Sequence, residues 1–248
     1  MADEVKNFYN KFAKESLAED FTKFNKRQYS IKKLIDQFAK KNSSILEIGC
    51  GAGIITKHLL TYADKLIALD ISSKNIEISQ KYVNSPRVSF FAADVLNNKL
   101  DFIQNQKFDL ILMADVIEHI PKESHANLFK IIEEKLNING LFILSYPSPE
   151  YQQYLLKNKP EIMQIIDQEI ELSEITSKTN LKTIYFSYKN IWSESQYIHM
   201  VLKKNIIYSN ATAKENILNL IRLRSNKYYW FFKNIPFRKK LKRLFDKG

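Results

Sequence analysis

The chain has 248 residues, 45% hydrophobic and 26% charged, with 16 Phe and 13 Tyr. That supplies a sizeable core for one α/β domain with elaborations and excludes a largely disordered chain. The net charge of +11 is unevenly placed: residues 222–248 hold ten Lys or Arg against one acid, so +9 lies in the tail and the body is nearly neutral.

Residues 1–41 read as helical. Phe8, Phe12 and Phe21 punctuate polar sequence, and Ile31, Leu34, Ile35 and Phe38 recur at helix spacing. From Ser44 the pattern changes to alternating strands and helices. A buried strand at 45–48 leads through a glycine turn into a helix over 54–62. A strand at 66–69 is followed by a helix over 73–82, which Ser72 or Ser73 can cap. Further strands are expected at 88–91 and 110–113, then a helix over 122–136. Gly140 is expected to open a strand at 141–145, and two late strands fall near 182–186 and 196–202. A helical insertion over about 150–176 separates them from the fifth strand. Such alternation implies a parallel sheet with helices on both faces.

No 18-residue apolar run is present, which argues against a transmembrane helix. The start Met1-Ala2-Asp3-Glu4-Val5-Lys6 lacks the basic-then-apolar pattern of a secretory leader. The single Cys50 can form neither an internal disulfide nor a cysteine zinc cage, so a reducing cytosolic compartment is expected.

The strongest local signal is Leu46-Glu47-Ile48-Gly49-Cys50-Gly51-Ala52-Gly53 at a strand-to-helix turn, where open α/β sheets bind ligands. Its third glycine comes one residue early for a dinucleotide fingerprint, and no Walker lysine follows. Asp70 ends the second strand in Leu69-Asp70-Ile71. A carboxylate there can accept hydrogen bonds from both hydroxyls of a ribose. Asp94 ends the third strand in Ala92-Ala93-Asp94-Val95, and the fourth strand runs into Asp115-Val116-Ile117-Glu118-His119.

With these four segments in register, residues 40–205 resemble the class I S-adenosylmethionine-dependent methyltransferases. The resemblance implies an α/β fold: a Rossmann-like, seven-stranded doubly wound sheet. It divides the chain into an N-terminal helical cap (1–41), a methyltransferase domain (42–206) and a basic, aromatic C-terminal helical extension (207–248). It implies S-adenosylmethionine as cofactor and S-adenosylhomocysteine as product. Asp94 would take the adenine amino group, with the Val95 backbone nearby, and Ile71 would lie beside the ribose acid Asp70. The turn of Gly49, Cys50, Gly51 and Gly53 would accommodate the methionine moiety, and Glu47 would place negative charge near its ammonium. Asp115, Glu118 and His119 would lie beside the methyl group. His119 is the candidate base, because imidazole titrates near neutral pH; a structural role for it is the alternative. The Asp-x-x-Glu-His spacing is also similar to that of ubiquinone-pathway and small-RNA 3′-end methyltransferases, which hold a divalent metal. The first position here is Asp115 and no downstream His cluster follows, so a metal is not favoured.

His58 and His125 are expected in solvent, and His199 as a satisfied core or edge residue. Tyr9, Phe12, Arg27 and Tyr29 are candidate lid residues, and Tyr151 and Tyr154 candidate acceptor contacts. The expected acceptor is a hydroxyl of a small molecule or glycan, such as a lipid-linked sugar or surface polysaccharide. A quinone-like lipid, a sugar amine, an RNA 2′-hydroxyl or a non-enzymatic regulatory module are the alternatives. In the tail, Phe237, Leu241, Leu244 and Phe245 share one face of a basic helix, after the aromatic run Tyr228-Tyr229-Trp230-Phe231-Phe232. That pattern suits an anionic membrane surface, which predicts peripheral attachment on the inner face of the cytoplasmic membrane. Packing on the domain and RNA binding are the alternatives.

Overall fold

A computed structural model describes residues 7–11, 24–96 and 100–204. Phe12, Phe21 and the tail over 207–248 lie outside the described residues.

Seven strands form one sheet in the order β3-β2-β1-β4-β5-β7-β6. They are β1 (Ser43–Ile48), β2 (Ala63–Asp70), β3 (Val88–Ala92), β4 (Phe108–Ala114), β5 (Leu136–Pro147), β6 (Lys182–Lys189) and β7 (Tyr197–Lys203). The first five pair in parallel, as the alternating pattern implies. The exception is β7, which runs antiparallel between β5 and β6. The helices are α1 (Lys26–Phe38), α2 (Ile54–Leu59), α3 (Ser73–Tyr82), α4 (His125–Lys135), α5 (Pro149–Asn158) and α6 (Leu172–Ser177).

Successive side chains of a strand point to opposite faces, and the central strands bury both. Ile45, Leu66, Leu110, Leu112 and Ile143 pack against Ile31, Leu34 and Ile35 of α1 and Leu59 of α2. Leu46, Ile67, Ile111, Met113 and Phe142 pack against Leu128, Phe129 and Ile132 of α4. The doubly wound arrangement follows directly from these apolar runs.

Several elements differ from expectation. Helix α2 stops at Leu59 rather than continuing to 62. Strand β5 begins at Leu136, so Gly140 lies inside it rather than opening it. A Cβ at Gly140 would sit 2.9 Å from the Asn137 carbonyl oxygen and 3.0 Å from that of Phe108, so the register irregularity between β4 and β5 uses the missing side chain. The insertion is helical only at its ends, α5 and α6, with a 3₁₀ turn at Pro160–Ile162 and irregular chain after it. His125 is fully buried, not solvated: its Nε2 donates to the Ile120 carbonyl at 2.9 Å and its Nδ1 faces Glu174 of α6 at 3.1 Å. His58 is half-buried and lies 2.6 Å from Asp36 Oδ1, which ties α2 to α1.

Candidate active site

A cleft of about 710 Å³ opens at the carboxyl ends of β1, β2 and β4. These are the ends at which parallel sheets bind ligands, because the strands fan into loops there. The turn after β1 is shaped by glycine. Gly49 has φ +80°, and a Cβ on it would lie 2.2 Å from Val116 Cγ2, so the first turn and the segment after β4 touch only because that side chain is absent. Gly51, at φ +52°, has open space where its Cβ would be and presents bare backbone to the cleft. Gly53 departs from expectation. It does not line the cleft but begins α2 and packs against Ser79 and Val83.

Asp70 is buried at the end of β2 and lines the cleft. Its Oδ2 accepts from Gly51 N–H at 2.9 Å, and its Oδ1 from Ser72 N–H at 2.9 Å and Asn75 Nδ2 at 3.1 Å. These bonds fix the carboxylate and link the glycine turn to the start of α3. Burial still pushes its pKa up. Glu47 is 3% exposed, and among the described residues its Oε2 has no hydrogen-bond partner. Burial, with Asp70 adding negative charge, pushes it up to about 8. Cys50 and Ile71 line the same end, and burial pushes the Cys50 thiol up, away from the reactive thiolate. Asp94 and Val95 line the cleft beyond β3, where Asp94 Oδ1 accepts from Leu96 N–H at 2.9 Å.

The other end is built after β4. Asp115 adopts φ +56°, unusual for a residue with a side chain, and its N–H donates to the Ser145 carbonyl at 2.9 Å. Its Oδ2 lies 3.2 Å from Arg27 Nε, while Oδ1 has no hydrogen-bond partner among the described residues. Arg27 Nη1 also donates to Tyr197 Oη at 3.2 Å, joining α1 and β7 across this end. Glu118 is 2% exposed, its Oε2 without a hydrogen-bond partner among the described residues, and burial beside Asp115 pushes its pKa well up. His119 Nδ1 lies 2.7 Å from the Ile166 carbonyl oxygen. The Tyr9 ring meets the His119 ring edge-on at 6.1 Å, and Tyr9 Oη donates to Gln164.

Of the lid candidates, Tyr9 and Arg27 reach the cleft, whereas Tyr29 is 49% exposed and lies under Lys33 instead. Of the insertion aromatics, Tyr151 lines the cleft, and Tyr154 stacks on it from outside. Trp192 and Tyr197 complete an aromatic wall. Sequence reasoning missed Ile166, Asp167, Gln152 and Tyr197. Asp167 opens the acidic run Asp167-Gln168-Glu169-Ile170-Glu171 of the insertion, but nothing local ties it to a histidine 48 positions earlier. Among the described residues no group of three or more His, Cys, Asp or Glu side chains is gathered as a metal ion would require. Asp115, first of the metal-like triplet, pairs with Arg27.

This sheet order, with a single reversed strand next to the edge and a glycine turn and acids at the strand ends, defines a class I S-adenosylmethionine-dependent methyltransferase. A family model described as a methyltransferase domain matches residues 24–184, and the chain belongs to that family. It is 31% identical over 104 residues to nodulation protein S of Azorhizobium caulinodans, over 42% of this chain and 48% of that protein. It is 29% identical over 114 residues to the ubiquinone biosynthesis O-methyltransferase of Pelagibacter ubique, over 44% of this chain and 41% of that protein. The matched stretch thus spans less than half the length of these curated relatives. Among solved structures, an S-adenosylmethionine-dependent methyltransferase from Anabaena variabilis matches with TM-score 0.67 at 16% identity, covering 82% of this chain and 95% of that one. The N-methyltransferase NodS from Bradyrhizobium japonicum, in complex with S-adenosylhomocysteine, matches with TM-score 0.63 at 15% identity, covering 80% of this chain and all of that one. These structural likenesses establish the fold.

The cleft fits the cofactor of this class. Asp70 offers a fixed carboxylate for a ribose, Gly51 bare backbone, and Glu47 a buried oxygen with no partner for an ammonium.

Proposed function

We propose that the protein transfers the methyl group of S-adenosylmethionine to a hydroxyl of a small molecule or glycan, with His119 as general base. The observation that carries this reading is the hydrogen bond from His119 Nδ1 to the Ile166 carbonyl. A carbonyl can only accept, so Nδ1 carries the hydrogen and Nε2 of the neutral ring holds the lone pair. When bound, the cofactor supplies an electrophilic methyl group, whose bonding electrons stay with sulfur as S-adenosylhomocysteine forms. Nε2 takes the hydroxyl proton as the new carbon–oxygen bond forms. Asp70 and Glu47 hold the ribose and ammonium ends. Arg27, bridging Asp115 and Tyr197, closes the reacting end. Tyr151, Trp192 and Tyr197 give the acceptor ring a surface to stack on, which supports a sugar or similar ring.

A second reading is methylation of a sugar amine. It is supported by the acid-rich lining, where Arg27 is outnumbered by Glu47, Asp70, Asp94, Asp115, Glu118 and Asp167, and by the similarity to an N-methyltransferase. Methyl uptake from labelled S-adenosylmethionine, screened over sugar nucleotides, lipid-linked sugars, amino sugars, quinols and RNA, separates these acceptors. His119→Ala should lower turnover about 10²-fold or more while cofactor affinity stays nearly unchanged. Equal turnover would mean that alignment alone carries the chemistry. The basic tail favours an acceptor made at the cytoplasmic face of a membrane.

A further inference from the structure

The chain between α5 and α6 grips the turn after β4 on both sides of His119. Gln168 N–H donates to the Glu118 carbonyl at 3.0 Å, and Gln168 Nε2 donates to the Ile120 carbonyl at 3.1 Å. Between these bonds, His119 Nδ1 meets the Ile166 carbonyl at 2.7 Å and Asp167 Oδ1 at 3.4 Å. Asp167 is itself anchored twice. Gln152 Nε2 donates to its Oδ1 at 2.8 Å, and Gln164 N–H donates to its Oδ2 at 2.7 Å. Gln152 is a polar side chain only 2% exposed on α5, so its bond is made inside the protein rather than in water. A surface acid would need none of this support.

We propose that Asp167 is a positioning residue for the reaction. With the Ile166 carbonyl it fixes His119 as the Nδ1–H tautomer. Its charge then balances the imidazolium that forms when Nε2 accepts the acceptor's proton, which later leaves to solvent. The inference rests on the reading of His119 as the base. Among the described residues, the other groups facing this imidazole are Glu118, whose Oε1 lies 3.9 Å from Nε2, and Tyr9, whose ring lies edge-on. Tyr9 oxygen is engaged with Gln164, so of the two acids only Asp167 lies on the Nδ1 side.

The test uses full-length protein with ¹⁵N-labelled histidine, the His119 signals being assigned by their loss in His119→Gln. At high pH the wild type should show the Nδ1–H pattern. Asp167→Asn, which keeps an oxygen for Gln152, should retain that pattern but hold the imidazolium less well, so that its ¹⁵N signal is lost at a lower pH than in the wild type, as loss of an adjacent opposite charge implies. Asp167→Ala, which also releases Gln152 and the Gln164 N–H that hold this segment, should loosen the Ile166 contact and shift the ring to a mixture of tautomers. An Nε2–H ring in the wild type, or the same imidazolium midpoint in Asp167→Asn, would overturn the proposal. If Asp167→Ala does not fold, Asp167→Asn decides alone. Calorimetric binding of S-adenosylhomocysteine is measured on the wild type in parallel. A wild type that fails to bind it would strike the methyltransferase reading and leave the tautomer result standing.

Discussion

Glu47 lies in the cleft with one oxygen unpartnered and burial holding it up to about 8. The folded protein without ligand therefore keeps a proton there at neutral pH, which the unfolded chain gives up above about 4.5. A cation arriving beside the carboxyl favours its ionised form, so binding expels that proton. Calorimetry of S-adenosylhomocysteine binding at pH 6.5, in buffers of different ionisation enthalpy, should show release of close to one proton, and affinity should rise with pH between 6 and 7.5. Identical heats in all buffers would place the ammonium elsewhere. Asp70→Ala should weaken binding by about 2–4 kcal/mol through lost charged hydrogen bonds.

His199 was expected to be satisfied, yet it is 1% exposed and neither ring nitrogen has a hydrogen-bond partner among the described residues. Its neighbour across β5 and β7, Ser145, also has an unpartnered hydroxyl. Burial pushes His199 down to about 3, so the fold holds it neutral. Below about 6.5 the unfolded chain takes up a proton that the folded chain refuses, so stability drains away as pH falls from there toward 3. His199→Leu removes both the orphaned atoms and this titration. It should raise the thermal midpoint, and more at pH 5 than at pH 8, in a fluorescence-monitored melt. A lower midpoint at both values would show that the imidazole has an unseen partner.

The glycine turn and the segment after β4 act as one unit because Gly49 and Val116 interlock. Gly49→Ala places a methyl where Val116 already sits and forces a side chain into positive φ. It should cost about 2–3 kcal/mol of stability and also weaken cofactor binding, since the turn must shift. Unchanged melting would contradict the close approach. The gathering of the glycine turn and the strand-end acids in one cleft was legible because its determinants are local. The reacting end was legible only in part. Asp115, Glu118 and His119 stand together in sequence, but the groups that orient them come from α1, the irregular chain before α6, and β7. Position along the chain gives no clue to such contacts. His125 was misplaced for the same reason: the acid that meets it, Glu174, lies 49 residues away.

In the whole molecule, the alternation of strands and helices announced the doubly wound sheet. The reversal of β7 could not be read from it, since a buried strand has the same composition in either direction. Among the described residues no helix is long and apolar enough to cross a membrane. Attachment through the basic tail is tested by sedimentation with anionic vesicles, full chain against a version ending near Ser209. The full chain should bind and release with salt; equal binding by both would remove the membrane reading.

On the proposed reading the acid-lined cleft grips a sulfonium nucleoside with its methyl toward His119. A crystal structure of the protein grown with S-adenosylhomocysteine tests it most directly. The ribose should lie on Asp70, the ammonium near Glu47 and the sulfur facing the turn that carries His119. A cleft left empty at saturating ligand, or taken instead by a nicotinamide or a nucleoside triphosphate, would contradict it.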